Sequence, residues 1–559
     1  MHVLSAAEMQ ACDRLTTEKF GVASLDLMRA AAIAVASFAR EQFPRARRVT
    51  IICGKGNNGG DGMMAARELA RAGLEVTTLL LGSPDELKGD AATAWRELAS
   101  PQHGLIHVIS APVDLTRRNY ALQTDLIIDA IFGTGFKPPL TMLALAVLEW
   151  IRASAAPVLS VDLPSGWPAD EMNATVEGPV FPSDAVITFT APKPAHVFGQ
   201  LTRRGNQPVV VASIGSPEEA IVSELNLEWA GSSLALAQAP RASAANKGNF
   251  GHVLVVGGSF GSAGGKAGAP AMTSLGALRA GAGLVTAAVP APAMRLVSSV
   301  ALELMTWSLT ATTEGQIEAD NLDPKTVTAM TKGKTVLAIG PGLGQSLDTS
   351  KFTMGLLSVT KMPVVIDADA LNILSEEPEL LPKLARTTEG ERTVVLTPHP
   401  GEMARLVKKT VAEVQANRVE MARSFAKENG VTLVLKGART LIAHPDGRVA
   451  VNTSGNPGMA KGGSGDLLTG IVAGLLAQHP NDAAHGVEAA VYLHGLAADM
   501  ALCDADEHTL LATDGLAHLA RAFRFQGFHF RNRGQNGYVW LQGLPAESSS
   551  AVVSREAAQ

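Results

Sequence analysis

Short runs of valine, isoleucine and leucine recur along this chain with helix-length stretches between them, and this rhythm narrows the possible folds more than any other feature. VTIIC starts at Val49, EVTTLLL at Glu75, TDLIIDA at Thr124, PVLSVDL at Pro157, DAVITFT at Asp184 and PVVVASI at Pro208. Runs so continuous suit strands buried on both faces, the pattern of a parallel sheet covered by helices. After Ile214 the rhythm fades into an Ala- and Ser-rich stretch, SSLALAQAPRASAANKGNFG from Ser232, which reads as a linker. It restarts with HVLVVGG at His252, GLVTAAVP at Gly283, KTVLAIG at Lys334, PVVIDAD at Pro363, TVVLTP at Thr393 and TLVLKG at Thr432. Two tandem three-layer α/β/α domains are expected, over about residues 1–220 and 235–520, the first opening on a helix capped by Ser5 and Glu8.

Charge and composition exclude several partners. With 47 basic and 53 acidic residues the net charge is −6, so no global field would gather nucleic acid or an anionic membrane. Any recognition of phosphate must be local. Cys12, Cys53 and Cys503 are too few and too scattered for a disulfide framework or a zinc cluster and suit a reducing compartment. Glu8 and Asp13 fall where a signal peptide needs an unbroken apolar segment, and no uncharged apolar run nears the roughly 18 residues of a membrane span. A cytoplasmic protein is expected. From Phe523 the periodicity is lost, aromatics mix with Arg and Gly, and residues 523–559 read as a poorly ordered tail.

Behind the first strand lies Cys53-Gly-Lys-Gly-Asn-Asn-Gly-Gly-Asp-Gly62, ahead of a helical run from Met63 to Arg71. Such a loop can bring backbone N–H groups close to a phosphate at a helix start. Gly54, Gly56 and Gly59 fit G-x-G-x-x-G, but the ribose-binding acid falls only on Glu75, ahead of a strand, which disfavours an ordinary dinucleotide dehydrogenase. No P-loop spacing occurs. Two further strand ends carry carboxylates, in Asp129-Ala-Ile-Phe-Gly-Thr-Gly135 and Asp162-Leu-Pro-Ser-Gly166. Either alone could be a helix cap or a turn former; in a parallel sheet both share an edge with the glycine loop.

In this order NNGGDG, DAIFGTG and DLPSG resemble the NAD(P)H-hydrate epimerase family, of Rossmann-like fold, over about residues 1–220. The resemblance implies that Asn57, Asn58, Gly59, Gly60 and Asp61 contact the damaged cofactor, as do Gly133, Thr134, Gly135, Phe136, Lys137, Pro138 and Pro139. It implies that Asn58, Asp129 and Ser165 hold a potassium ion, and that Asp162 touches the substrate and serves as acid/base.

In the second half, Asn452-Thr-Ser-Gly-Asn-Pro-Gly-Met-Ala-Lys-Gly-Gly-Ser-Gly-Asp466 precedes the apolar, helix-length LLTGIVAGLLAQ. Gly462, Gly463 and Gly465 would let several N–H groups converge on one oxyanion, aided by the helix dipole. Asp466 would then sit beside bound phosphate, where a carboxylate has work as the acceptor of a proton from a hydroxyl being phosphorylated; otherwise it caps the helix. This pattern resembles the ribokinase-like fold. With VVGGS at Val255, ALRAGAGLV at Ala277, IGPGLG at Ile339, DADALN at Asp367, TPHPGEMARL at Thr397 and KGART at Lys436, it resembles the ADP-dependent NAD(P)H-hydrate dehydratases over about residues 235–520. The tandem is similar to the bifunctional NAD(P)H-hydrate repair enzymes.

By that resemblance Lys436, Gly437, Ala438, Arg439 and Thr440 bind the adenine nucleotide and Gly465 its phosphate, while Ala269, Gly342, His399 and Asp466 contact the hydrated cofactor. Taken by themselves, His399 could merely shape a turn and Lys436 could be a solvated strand end. Phe260 to Ala269 carries extra residues relative to the family's short glycine turn. The resemblance implies ADP as co-substrate with Mg2+, NADH hydrate and NADPH hydrate as substrates, and a homo-oligomer. Two rival readings are a ribokinase-group small-molecule kinase, which would accumulate a phosphorylated product, and a first domain that is a nucleotide-sensing or RNA-binding module without turnover.

Overall fold

The apolar runs become strands because their β-branched side chains pack on both faces of a pleated sheet. The computed structural model describes residues 1–99, 103–205, 207–387, 390–526 and 537–545. It divides into two compact units, residues 1–227 with 526–559, and residues 228–525.

The first unit begins with α1 (Ala6–Glu18), closed by the expected Ser5/Glu8 capping box, and α2 (Ser24–Gln42). Its strands are β1 (Arg48–Cys53), β2 (Glu75–Leu81), β3 (Leu105–Ile109), β4 (Leu126–Ala130), β5 (Val158–Val161), β6 (Ala185–Phe189) and β7 (Val209–Ala212). They are parallel and stand in the order β7-β6-β5-β4-β1-β2-β3. The order reverses between β1 and β4, which part to opposite sides and leave a crevice at their carboxyl ends. α3 spans Asn57–Arg71, so the helix starts inside the glycine loop, six residues before the apolar run that announced it. Gly54 shows why the loop is glycine-rich: a Cβ there would collide with the carbonyl of Ile131, where the turns after β1 and β4 touch.

A further strand, Tyr538–Gln542, pairs antiparallel with β7 and closes that edge of the sheet. Tyr538, Trp540 and Leu541 are buried, and Phe38 of α2 meets the rings of Tyr538 and Trp540 edge-on at 5.3 and 6.1 Å. The expected tail is therefore corrected: Phe523 closes a helix, and residues 538–542 are core because an open β7 edge accepts their backbone and α2 their aromatics. Residues 527–536 and 546–559 lie outside those described.

The second unit holds β8 (Leu227–Trp229), β9 (His252–Val256), β10 (Leu284–Pro290), β11 (Met305–Leu309), β12 (Val336–Ile339), β13 (Val364–Ile366), β14 (Val394–Leu396), β15 (Thr432–Leu435), β16 (Leu441–Ala443) and β17 (Val449–Val451). Their order is β11-β10-β9-β12-β13-β14-β15-β16-β17-β8, parallel from β11 to β15 and antiparallel across β15-β16-β17. The order reverses between β9 and β12, and there the Gly258 N–H donates to the Pro341 carbonyl at 2.9 Å. The expected linker is also corrected. Trp229 and Leu234 are buried, and the Trp229 indole donates to Thr453 at 2.8 Å, so the second unit starts at Glu228.

Candidate active sites

In the first unit the site lies at the carboxyl ends of β4, β5 and β6. Asp162 follows β5 directly, with φ +65°, a strained left-handed conformation for a non-glycine residue. Its Oδ2 accepts the Thr134 N–H at 2.6 Å and the Thr134 hydroxyl at 2.5 Å; its Oδ1 accepts the Thr188 hydroxyl at 2.8 Å and the Lys193 ammonium at 3.1 Å. Burial alone would raise the proton affinity of Asp162, but the Lys193 ammonium and these hydrogen bonds outweigh it and hold the carboxyl well below its usual range. His196, in the helical turn Pro194–Phe198, accepts the Lys193 N–H at Nδ1 and donates from Nε2 to the Asp162 carbonyl at 2.7 Å. Burial pushes its pKa down to about 4, so the ring is neutral and braces the backbone. Asp61 behaves oppositely to Asp162: burial, then the negative charges of Asp162 and Asp13, push it well up.

Asp129 on β4 is fully buried, accepts the Ser165 N–H at 2.8 Å and the Ser165 hydroxyl at 2.6 Å, and is pushed up to about 6 by burial. Asn58 has both amide atoms buried without a hydrogen-bond partner. Orphaned buried groups of this kind are costly unless something outside the protein satisfies them. A neutral amide oxygen, a hydroxyl and a carboxylate that burial makes reluctant to ionise form a donor set that fits a hard cation. A Cβ on Gly133 would fall 2.6 Å from Asp162 Oδ2 and 3.2 Å from Asn58 Oδ1, so Asn58 and Asp162 face the same small space.

The remaining sequence-predicted residues divide in two. Gly59 and Gly60 are buried by packing, Gly60 against Met28, and present at most backbone to the site. Asn57, Gly135, Lys137, Pro138 and Pro139 are exposed, and Phe136 is half-buried with its ring 5.3 Å from that of Phe132.

The second site gathers the carboxyl ends of β12 to β15 and two helix starts, α4 (Gly268–Arg279) and α5 (Ser464–Gln478). Gly463, at φ +96°, turns the chain into α5, and Asp466 lies in its first turn, half-buried. Burial, with Asp367 and Asp369 nearby, pushes Asp466 up to about 6 against the opposing Lys436 and Lys266. Lys436, immediately after β15, donates to Asp367 Oδ1 at 2.8 Å and lies 3.9 Å from Glu402 Oε2. Glu402 is pushed up to about 7 by burial, with Asp367 adding to the effect. His399 does shape a turn: its Nδ1 accepts the Gly401 N–H at 3.0 Å and caps the helix Pro400–Leu406, which leaves Nε2 as the protonated nitrogen.

Ala269 and Gly342 come together, since a Cβ on Gly342 would lie 3.2 Å from that of Ala269. The extra residues after Ser259 form a small hairpin, Phe260–Gly261 with Gly264–Gly265, and Ala269 follows it in the first turn of α4. Beyond the hairpin, Lys266 reaches Asp369 at 3.0 Å. Of the stretch 436–440, Gly437 and Ala438 are exposed, the Thr440 hydroxyl donates to the Gly437 carbonyl at 2.9 Å, and the Arg439 guanidinium turns to the Thr453 carbonyl at 3.0 Å. Sequence reasoning missed Lys193, Thr188 and His196 in the first site and Asp367, Asp369, Glu402 and Lys266 in the second. Asp367 and Asp369 sit inside DADALN and Glu402 inside TPHPGEMARL, and Lys193 had a hint in its place in a strand-end Ala-Pro-Lys-Pro.

Fold and sites together define a tandem α/β enzyme, with a buried, lysine-paired carboxylate in a Rossmann-like unit and a glycine cradle with its own carboxylate in a ribokinase-like one. The model of the NAD(P)H-hydrate dehydratase family matches residues 253–520, and that of the YjeF-related protein N-terminus matches residues 24–195. The chain is 40% identical over 535 residues to the bifunctional NAD(P)H-hydrate repair enzyme Nnr of Moorella thermoacetica, covering 94% of this chain and 97% of that one. To the Escherichia coli enzyme of the same name it is 34% identical, covering 92% and 93%. The chain belongs to the family of bifunctional NAD(P)H-hydrate repair enzymes. A crystal structure of ADP/ATP-dependent NAD(P)H-hydrate dehydratase from Bacillus subtilis, co-crystallised with ATP/Mg2+, is 32% identical and covers 52% of this chain and 96% of that one, with a TM-score of 0.42.

Proposed function

We propose that this chain restores hydrated NADH and NADPH by two activities, epimerisation of the R and S hydrates in the first unit and ADP-dependent dehydration of the S hydrate in the second. The observation that carries the reading is Asp466 in the first turn of α5, with its proton affinity raised and Lys436 beside the same turn. The relatives named for this repair support it.

The hydrate bears a hydroxyl on the carbon next to the ring nitrogen. In the second unit that oxygen attacks the terminal phosphorus of ADP while Asp466 takes its proton; an O–P bond forms and AMP leaves. The C–O bond then breaks as the ring nitrogen's lone pair expels phosphate, and loss of a proton from the neighbouring carbon restores the dihydronicotinamide. Gly465 and the α5 N–H groups cradle the phosphoryl oxygens, Lys436 to Thr440 hold the nucleotide, and Ala269, Gly342 and His399 hold the hydrate. Mg2+ accompanying the nucleotide would offset phosphate charge.

In the first unit Asp162, kept anionic, stabilises the positive charge that develops on the ring as the hydroxyl leaves. Asp61, whose proton affinity is raised by burial and by the charges of Asp162 and Asp13, supplies the proton that makes it water, in place of the acid/base role that the resemblance implies for Asp162, and water adding to either face gives either epimer. Asn57 to Asp61 and Gly133 to Pro139 would contact the cofactor. Asn58, Asp129 and Ser165 would hold a potassium ion, which supplies fixed positive charge at the site. A homo-oligomer in the cytoplasm completes the reading, and three free thiols support a reducing compartment.

Mixed R and S NADH hydrate incubated with ADP and Mg2+ tests it. Complete recovery of nicotinamide absorbance with stoichiometric AMP and phosphate is expected. A stable phosphorylated product would instead favour a small-molecule kinase, and recovery stopping at one epimer would remove the first activity.

A further inference from the structure

We propose that Asp367 is the positioning residue of the second site, holding the Lys436 ammonium against the start of α5 in one arrangement so that an incoming phosphoryl group meets a fixed cation. The proposal rests on the reading of Asp466 as base and Lys436 as nucleotide ligand.

Asp367 directly follows β13 and is 1% exposed. Both of its oxygens are committed. Oδ1 accepts the Lys436 ammonium at 2.8 Å, and Oδ2 accepts the Thr469 hydroxyl at 2.7 Å. The partners come from the end of β15 and from the second turn of α5, so a single carboxylate ties three elements together. A Cβ placed on Gly465 would lie 3.4 Å from Lys436 Nζ and 3.9 Å from Asp367 Oδ2. The ammonium therefore stands against bare backbone in the turn whose N–H groups have no helical partner.

A lysine on a four-carbon stem does not hold such a place unaided. Released, Lys436 could swing to Asp466 and neutralise the base. Buried ion pairs contribute little to net stability but can fix one arrangement, and this pair fixes the cation in the cradle. Its charge also reaches Asp466, which is faced by Asp367, Asp369, Lys436 and Lys266, while Glu402 faces Lys436. Removing the negative charge of Asp367 makes Asp466 easier to deprotonate.

The experiment uses the full chain with the S form of NADH hydrate, ADP and Mg2+, following nicotinamide absorbance across pH. Asp466→Asn is the control: if it still dehydrates, the reading of the site falls, whatever Asp367 does. With that control inactive, Asp367→Asn is expected to raise the KM for ADP about tenfold, to leave the KM for hydrate within about twofold, and to move the acid limb of kcat down by about half a pH unit. Added to Lys436→Met, it should raise the KM for ADP no further. Unchanged KM for ADP, an unmoved acid limb, or a further rise in the Lys436→Met background overturns the proposal. If Asp367→Asn alone does not fold, the double variant is compared with Lys436→Met: equal KM for ADP and a lower acid limb support the proposal, and any other result overturns it.

Discussion

The Lys193 ammonium lies 3.1 Å from Asp162 Oδ1, with 2% and 10% of the two side chains exposed. The ion pair holds Asp162 toward its ionised form, and its strained backbone is braced by His196, which bonds the carbonyl of the same residue. An anion so saturated is a weak proton acceptor. Lys193 is the residue that sets the charge state of Asp162.

Lys193→Met should therefore abolish more than the ion pair. The folded-state pKa of Asp162 is depressed, so the pair's stabilisation is present above the unfolded value of about 3.9 and is lost only as pH falls through the lower folded value. Without Lys193 the buried carboxylate is uncompensated, at a cost of about 3–5 kcal/mol. Asp162 would then protonate more easily. The epimerisation rate, corrected for spontaneous exchange, should show its acid limb at a higher pH than the parent does. A variant whose acid limb stays where the parent's lies would show that Lys193 does not govern Asp162.

Potassium should stabilise the first unit in a pH-dependent way. Burial raises Asp129 to about 6, so without a cation this group's contribution to stability declines as pH rises from about 4 through 6. A cation bound with Asn58 and Ser165 favours the ionised form. Exchanging potassium for tetramethylammonium should lower the unfolding midpoint at pH 7.5, by the equivalent of about 1–3 kcal/mol at saturating ion, and far less at pH 5. Asn58→Ala should remove the response. An equal response to both cations at pH 7.5 would count against the site.

The strand Tyr538–Gln542 should be a stability element of the first unit. Trp540 is 6% exposed and packs edge-on against Phe38. Trp540→Ala should cost about 3–5 kcal/mol and lower the temperature at which epimerase activity is lost, with the ADP-dependent activity assayed alongside as the internal reference. An unchanged midpoint for epimerase loss would return this strand to the status of an appendage.

What the sequence revealed and what it hid follow from burial. Runs such as VTIIC and TLVL were legible because the central strands they form are buried on both faces. β3 and β11 were not, because both are edge strands with solvent along part of their length and carry polar residues within the run. YVWLQ was hidden by its basic, glycine-rich surroundings and because its partner strand lies more than 300 residues earlier. Glycine motifs marked both crevices, since only glycine allows the backbone approach seen at Gly54. The ion pairs left no local trace: Lys193 meets Asp162 across 31 residues and Lys436 meets Asp367 across 69, so only the fold brings them together.

Asp466→Asn should give a protein that is both inactive as a dehydratase and more stable. The carboxylate is held at a folded-state pKa of about 6, above its unfolded value, by burial and by the charges of Asp367 and Asp369. A raised pKa means that the folded state prefers the protonated form. Stability is therefore surrendered as pH rises from about 4 through 6, and at pH 8 the ionised group costs the second unit about 1–3 kcal/mol. Asparagine carries no charge and escapes that cost. At pH 8 the unfolding transition of the second unit should move upward, and at pH 4 parent and variant should converge. In the parent, ADP-dependent recovery of nicotinamide absorbance should fall below about pH 6 as the base protonates; in the variant it should vanish at every pH, while epimer exchange continues unchanged. A variant that still dehydrates would dismiss Asp466 as the base. One that is inactive but destabilised at pH 8 would recast the residue as a helix cap whose loss disrupts the cradle.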